Sequence, residues 1–172
     1  PRYNLAPTQP VAAVVQRDRR VLELLTWGLV PSWSKDPSGG VHAINARAET
    51  LTTKPAFRNA LQRRRCVVLA SGFFEWRHEG RDRVPMFIRL ADGRPLGLAG
   101  LWEEWTSAEG EPLRTCTIIT VAANPFLASI HDRMPAILEP AAVSRWLDPN
   151  AAGAEPLLAL LRPYAAEDLV VY

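Results

Sequence analysis

The sequence predicts a single α+β domain, residues 1–172, with a mostly antiparallel, barrel-like sheet and a few peripheral helices. Short β-type runs alternate with turn residues at a spacing of roughly 8–12 positions, which is typical of sandwiches and barrels. Helical patterns are few and short, and they lie between or after the strands. A chain of 172 residues that is 48% hydrophobic supports one sizeable core but not two comfortable domains.

The first elements are loops and short strands. Residues 2–10 are rich in proline and polar turn formers, which predicts an extended, ordered loop. Residues 11–15 and 21–25 form a β-hairpin pattern with a charged tip. The next stretch, from Trp27 to Trp33, is a proline-kinked aromatic loop. Its two indoles either stack on nucleotide bases or close the core, and the sequence leaves both interpretations open.

A polar, glycine-rich loop over residues 34–42 leads to a segment in which Asn45, Arg47 and Glu49 alternate with alanine. In an extended conformation these three side chains share one face. Asn45 would suit hydrogen bonding to a sugar or amide, and Arg47 would suit binding of a phosphate or carboxylate. The alternative is a surface ion pair between Arg47 and Glu49.

Residues 55–65 predict a short amphipathic helix whose basic end, Arg63 to Arg65, we expect to be solvated. The apolar run over residues 66–76 follows, broken by Gly72, which predicts a bulge or a close backbone approach. Glu75 lies between aromatic residues in this run. An apolar pocket would raise its pKa and suit it to proton transfer, whereas a water-facing position would pair it with an arginine such as Arg77.

In the last third of the chain, one histidine lies at the predicted end of a short helix. Asn124 is a predicted N-cap and Pro125 a first helical residue, so a short helix ends before Pro135. His131, flanked by Asp132 and Arg133, is then suited to acid–base chemistry. His78 is expected in an exposed turn. The remaining predicted elements are strands over residues 85–90, 96–101, 114–121 and 169–172, and helices over residues 140–146 and 155–161.

Composition excludes several classes of protein. The net charge of +2 allows an anionic partner without requiring one. Cys66 and Cys116 lie in apolar runs, which favours buried free thiols in a reducing compartment over a disulfide. There is no signal-peptide pattern, so we expect a cytoplasmic protein. No phosphate-binding glycine loop and no metal-ligand spacing are present, which argues against a metal or nucleotide-cofactor enzyme and predicts no cofactor.

Five motifs together resemble the SOS-response-associated peptidase (SRAP) family. They occur in the family's order across almost the whole chain, at residues 2–8, 27–33, 45–50, 72–76 and 131–135, with the sequences RYNLAPT, WGLVPSW, NARAET, GFFEW and HDRMP. The resemblance implies an SRAP-like fold and a monomer that senses abasic sites in single-stranded DNA in the DNA damage response. In bacteria such a protein is cytoplasmic, and nucleoid-associated when bound to DNA.

In this family an N-terminal Cys, exposed when the protein removes its own initiator Met, forms a thiazolidine with the abasic sugar. By resemblance, Asn45 would bind the sugar-derived part of the adduct, Glu75 would orient or deprotonate the terminal amine, and His131 would be the general acid–base. The implied DNA contacts are Arg47 and Arg133 on phosphates and Pro31, Ser32 and Trp33 in a base-stacking wedge. Thr120, Arg2 and Asn4 would support the pocket.

The family's N-terminal Cys is not among these 172 residues. We expect it in an upstream segment, and we expect the present chain to be inactive without it; a homologue that binds without crosslinking is the alternative. Neither internal cysteine has the free α-amine that a thiazolidine requires. Two other functions remain open at this point: a thiol-dependent peptidase acting on proteins, and a non-catalytic module for single-stranded DNA.

Overall fold

The computed structural model describes residues 3–37, 43–151 and 153–172, and a closed five-stranded barrel lies at its centre. The strands are β1 (Pro10–Gln16), β2 (Arg20–Trp27), β3 (Asn45–Arg47), β4 (Arg65–Ala70), β5 (Phe73–Glu79), β6 (Asp82–Leu90), β7 (Leu96–Thr106), β8 (Pro112–Ala122), β9 (Arg133–Pro135) and β10 (Leu169–Val171). The barrel follows the order β2-β1-β4-β7-β8 and closes where the end of β2 pairs in parallel with β8. Most other pairings are antiparallel, so the predicted α+β, barrel-like fold is confirmed.

Two short strands extend the barrel sheet at β8. Strand β3 pairs with β8 in parallel, and β9 pairs with β8 in antiparallel orientation. On β3, Ala46 is buried between the exposed Asn45 and Arg47, and it pairs with the buried Ile119 of β8. Asn45 and Arg47 therefore face outward, and the polar segment predicted around residue 45 lies on that outer side.

A second sheet, in the order β10-β6-β5, packs beside the barrel. The chain passes from the barrel to this sheet at Gly72, between β4 and β5. A Cβ atom at Gly72 would lie 2.5 Å from the carbonyl oxygen of Ile88 and 2.5 Å from the ring of Phe87. The close backbone approach predicted at this glycine is thus present, and it aims β5 away from the barrel.

The helices are peripheral, as predicted, and each α-helix starts with a proline in its first turn. They are α1 (Pro55–Arg63), α2 (Pro140–Trp146) and α3 (Glu155–Leu158), and short 3-10 helices form at Ala48–Thr50, Leu127–Ser129 and Ala166–Asp168. Both α1 and α2 pack against β4 and β7.

The prediction of a solvated basic helix end is wrong at Arg65. This side chain is 5% exposed, and its guanidinium donates to the carbonyls of Leu61 (2.7 Å) and Gln62 (2.7 Å), near the end of α1, and of Trp146 (2.6 Å) and Asp148 (2.5 Å), at the end of α2. One arginine therefore satisfies carbonyls at the ends of two helices, which leave orphan acceptors and carry partial negative charge.

Other element boundaries differ from the prediction. His78 lies within β5 rather than in the turn, although it is exposed. The segment after Pro125 forms only the 3-10 helix Leu127–Ser129, because the cap of Asn124 is followed by too few helical residues before β9. Asn124 itself is buried, and its Oδ1 accepts the N–H of Leu127 at 2.8 Å, as a cap should.

Candidate functional site

Polar side chains from β3, β8 and β9 share the outward face of the barrel extension. Asn45 and Arg47 are exposed on β3, and the register pairs Arg47 with Thr120 on β8. Thr120 in turn pairs with Pro135 on β9, two residues after Arg133. The site therefore brings together four predicted residues that are up to 88 positions apart in sequence.

Arg133 is the most constrained of these side chains. Its guanidinium makes a two-pronged contact with Glu49, at 2.7 and 2.9 Å, and donates to the backbone oxygen of Thr120 at 2.6 Å. The proposed Arg47–Glu49 ion pair is thus wrong as the main contact, because Glu49 pairs with Arg133. Glu49 also lies in the 3-10 helix rather than in β3, so it does not continue the alternating strand face. The contact with Arg133 lowers the pKa of Glu49.

His131 is held by its own loop between the 3-10 helix and β9. Its Nδ1 accepts the backbone N–H of Arg133 at 3.0 Å and lies 3.4 Å from Oδ1 of Asp132. This nitrogen is turned toward the loop, which leaves Nε2 as the ring nitrogen available to a substrate. The side chain is 43% exposed, so a substrate can reach it.

Glu75 approaches His131 from the other sheet. Burial is the largest influence on this carboxyl and raises its pKa; His131 acts in the opposite direction, and Asp132 adds to the increase. The alternative pairing with Arg77 does not occur, since Arg77 pairs with Glu79. Glu75 is thus a partly desolvated carboxyl group close enough to His131 to be influenced by its charge, an arrangement that suits proton transfer.

The aromatic loop after β2 is fixed at both ends. The N–H of Val30 donates to Oγ1 of Thr115 at 2.9 Å, and the indole of Trp105 donates to the carbonyl of Ser34 at 2.7 Å. Ser32 hydrogen-bonds the buried carboxylate of Glu103, whose pKa is raised by burial. These three contacts hold the loop against β7 and β8.

The two indoles of this loop have different environments: the core-closing interpretation fits Trp27, whereas base stacking by Trp33 stays a prediction. Trp27 is partly buried at the end of β2, and its Nε1 donates to the carbonyl of Ile44 at 2.8 Å. Trp33 is 66% exposed and lies beside the exposed Ser32, after the partly buried Pro31. Only Trp33 has a ring surface that is free to stack on a ligand.

The other two predicted supporting residues belong to the N-terminal loop. Arg2 lies outside the described residues. Asn4 is exposed, with a left-handed backbone (φ 53°) that asparagine tolerates better than most residues.

Sequence reasoning missed two carboxylates. Glu49 was weighed only as a partner for Arg47, because its true partner is 84 positions away. Glu103 sits in a strand with no motif around it; the only available signal was a pair of glutamates between two tryptophans at residues 102–105.

The two cysteines are buried and free. Burial raises the pKa of Cys66 and raises that of Cys116 to about 12, so neither forms a thiolate at neutral pH. Among the described residues, no group of three or more His, Cys, Asp or Glu side chains is arranged to hold a metal ion. No helix in the described part of the chain is long and apolar enough to cross a membrane.

The closed barrel and the smaller sheet beside it define a class of α+β barrel domains, in which Glu75 and His131 lie near each other where the two sheets meet. The chain belongs to the SOS response associated peptidase (SRAP) family, whose match covers residues 1–172.

Three curated relatives from different organisms carry a common description. The chain is 44% identical over 174 residues to the abasic site processing protein YoaM of Bacillus subtilis, a match that covers 100% of this chain and 77% of YoaM. It is 37% identical to the abasic site processing protein YedK of Escherichia coli, covering 90% of this chain and 68% of YedK. It is 35% identical to the abasic site processing protein HMCES of Gallus gallus, covering 95% of this chain and 58% of HMCES.

A crystal structure of a protein from Bacteroides thetaiotaomicron has the same fold. It superposes with a TM-score of 0.89 at 32% identity, over 96% of this chain and 73% of that protein.

Proposed function

We propose that this protein processes abasic sites in single-stranded DNA by forming a covalent thiazolidine crosslink through an N-terminal Cys outside these 172 residues. The observation that carries the proposal is the approach of Glu75 on β5 to His131 beside β9. A chain of contacts continues from His131 through Arg133 and Thr120 to Arg47. Its relatives' description as abasic site processing proteins supports the same substrate.

The chemistry needs an acid and a base at one carbon. The neutral α-amine of the Cys attacks the aldehyde of the ring-opened sugar to give a carbinolamine, which loses water to form a Schiff base. The thiol then adds across the C=N bond and closes the five-membered ring. Glu75 takes a proton from the attacking amine, and Nε2 of His131 exchanges the proton of the sugar oxygen. Asn45 hydrogen-bonds the opened sugar.

The flanking DNA is held by charge and by stacking. Arg47 is exposed and binds a neighbouring phosphate. The guanidinium of Arg133 already donates to both carboxylate oxygens of Glu49, so it binds a phosphate only if it gives up one of these hydrogen bonds or both. Trp33, on its tethered loop, stacks on a base beside the lesion. Each stacked base contributes about 1–3 kcal/mol without reading sequence.

The test is a denaturing gel with intact-mass readout. Native-length protein and the 172-residue chain are each incubated with single-stranded DNA carrying one abasic site. A heat-stable adduct with the native-length protein alone, with a mass equal to protein plus DNA minus one water, is the expected result. No adduct from either protein would refute the proposal.

Matched variants test the roles. Glu75→Gln and His131→Asn should each slow adduct formation by about 10²- to 10⁴-fold. The control for His131→Asn is His78→Asn, an exposed histidine on β5. Arg47→Gln should reduce the salt slope of DNA binding by roughly 0.7. If His131→Asn and His78→Asn form the adduct at the same rate, the assignment of His131 is wrong.

We also propose that the protein removes its own initiator Met. Mass spectrometry of the expressed native-length protein tests this, since the product should lack the mass of one methionine residue. The raised pKa of both described cysteines argues against either as the nucleophile for other proteins. We expect the protein to act in the cytoplasm as a monomer, bound to damaged DNA there.

A further inference from the structure

The outer face of the second sheet carries a row of aromatic side chains. The register pairs Phe74 of β5 with Phe87 of β6, and Phe87 exchanges backbone hydrogen bonds of 3.0 Å with Tyr172, beside β10. Residues paired across a sheet project to the same side. The rings of Phe74 and Phe87 are 5.1 Å apart, and Phe74 and Tyr172 are 41% and 65% exposed.

Basic and acidic side chains of β5 and β6 lie on opposite sides of this sheet, apart from Arg77. The side that carries Phe87 also carries Arg83 and Arg89, because both lie an even number of residues from it on β6. All three carboxylates of β5 and β6 point to the opposite side, at Glu75, Glu79 and Asp82. The outer face therefore combines exposed rings with positive charge and has no carboxylate in its strands.

Arg89 links the two features. Its guanidinium lies 5.0 Å from the ring centre of Tyr172 and donates to the Tyr172 hydroxyl at 2.6 Å. A planar cation stacked on an exposed ring is a common element of surfaces that bind nucleic-acid bases and phosphates. A face for an apolar protein partner would not need this arginine or the absence of carboxylates.

The position of the face connects it with the proposed site. β5 is an edge strand of its sheet, and it carries Glu75 on the inner side and Phe74 on the outer side. A strand of DNA that leaves Glu75 across this free edge reaches the aromatic row next. The row crosses three strands, a width of about 10 Å at the usual strand spacing.

We propose that the outer face of the β10-β6-β5 sheet, through Phe74, Phe87, Tyr172 and Arg89, binds the single-stranded DNA that flanks the abasic site. The inference rests on the proposed function and extends it to a second segment of the same ligand. Sheets that bind single-stranded nucleic acid in this way stack about two or three bases. The face therefore lengthens the binding footprint without contributing to the chemistry.

The test uses native-length protein and single strands that carry a tetrahydrofuran abasic analogue, which has no aldehyde. One strand has two nucleotides on each side of the analogue, and two others extend it by eight nucleotides on the 5′ or the 3′ side. Fluorescence anisotropy gives the Kd for each. We expect one extension to tighten binding by about tenfold or more, and Phe74→Leu and Tyr172→Ala each to remove about fivefold of that gain.

Controls separate the possible failures. Leu24→Ala changes a side chain that is 69% exposed on β2, outside this face, and should bind all strands like the wild type. Arg89→Gln should weaken the salt dependence for the extended strand only. Thermal unfolding shows that each variant folds. If 5-iodouracil placed in the extension crosslinks to residues 73–76 or 172 on irradiation, the location is supported.

The two proposals fail differently. Absence of a covalent adduct between the wild type and a true abasic site refutes the proposed function. A normal adduct, together with equal Kd values for short and extended strands, refutes only the outer-face inference. So does a length effect that the Phe74, Tyr172 and Arg89 variants leave intact.

Discussion

Replacing Arg65 with methionine should strongly destabilise the fold. The side chain is nearly fully buried, and four carbonyls at two helix ends accept its hydrogen bonds. The hydrogen bonds to the oxygens of Trp146 and Leu61 are buried, and those to Gln62 and Asp148 are partly buried. Once the guanidinium is removed, water can therefore hydrate the oxygens of Gln62 and Asp148 but not those of Trp146 and Leu61.

Each buried carbonyl left without a donor costs about 1–3 kcal/mol. Loss of the favourable charge at two helix ends adds about 0.3–1 kcal/mol for each end, and relief of the buried charge offsets part of the sum. We therefore expect Arg65→Met to lower the free energy of unfolding by about 3–5 kcal/mol, a large share of the roughly 5–15 kcal/mol of a typical domain.

Urea unfolding followed by tryptophan fluorescence measures this effect. Arg63→Met is the matched control, since Arg63 is exposed in the same basic run, and it should change stability by less than about 0.5 kcal/mol. Arg65→Lys keeps the charge but not the planar fork that reaches both helices, so its loss should be intermediate. A loss below about 1 kcal/mol for Arg65→Met would refute the capping role, because the carbonyls would then be satisfied without it.

Three further predictions concern single side chains. Gly72→Ala should cost about 1–3 kcal/mol in urea unfolding, because the new methyl meets the backbone carbonyl of Ile88 on β6; unchanged stability would mean that the start of β5 shifts away from β6 at little cost. Burial raises the pKa of Glu75, so the folded protein binds that proton more tightly than the unfolded chain, and stability falls as pH rises from the ordinary carboxyl value to the raised one. Glu75→Gln should abolish that fall and have a larger free energy of unfolding than the wild type at neutral pH. Urea unfolding at a series of pH values measures this, and a pH dependence like that of the wild type would contradict the burial of Glu75. Glu103→Leu removes the acceptor of Ser32 and should speed hydrogen exchange at residues 30–34, whereas Glu103→Gln should not.

Local patterns predicted much of the fold. The apolar runs gave β4 and β5, and the break between them fell at Gly72, where close packing leaves no room for a side chain. The amphipathic pattern over residues 55–65 predicted α1, and the segment over residues 140–146 forms α2 as predicted. The sequence left two positions open for Glu75, an apolar pocket or a water-facing site, and the fold buries the carboxyl in part.

Partners distant in sequence could not be predicted in the same way. Glu49 was paired with its neighbour Arg47, although the fold brings Arg133 to it through β8. Arg65 looked like a solvated helix end because nothing local indicates that α2 arrives beside it. The barrel closure depends on a parallel pairing of β2 with β8, and strand register is a property of two segments rather than of one.

The parallel neighbours of β8 have a consequence for how this family can diversify. Trp27 of β2 pairs with Cys116, and Asn45 of β3 pairs with Ile118, so the two strands lie almost end to end along one edge of β8. In the sequence, 17 residues separate the ends of these two strands. Insertions or deletions there can reposition Trp33 while the barrel register stays unchanged, so a descendant can acquire a new ligand preference without having to evolve a new scaffold.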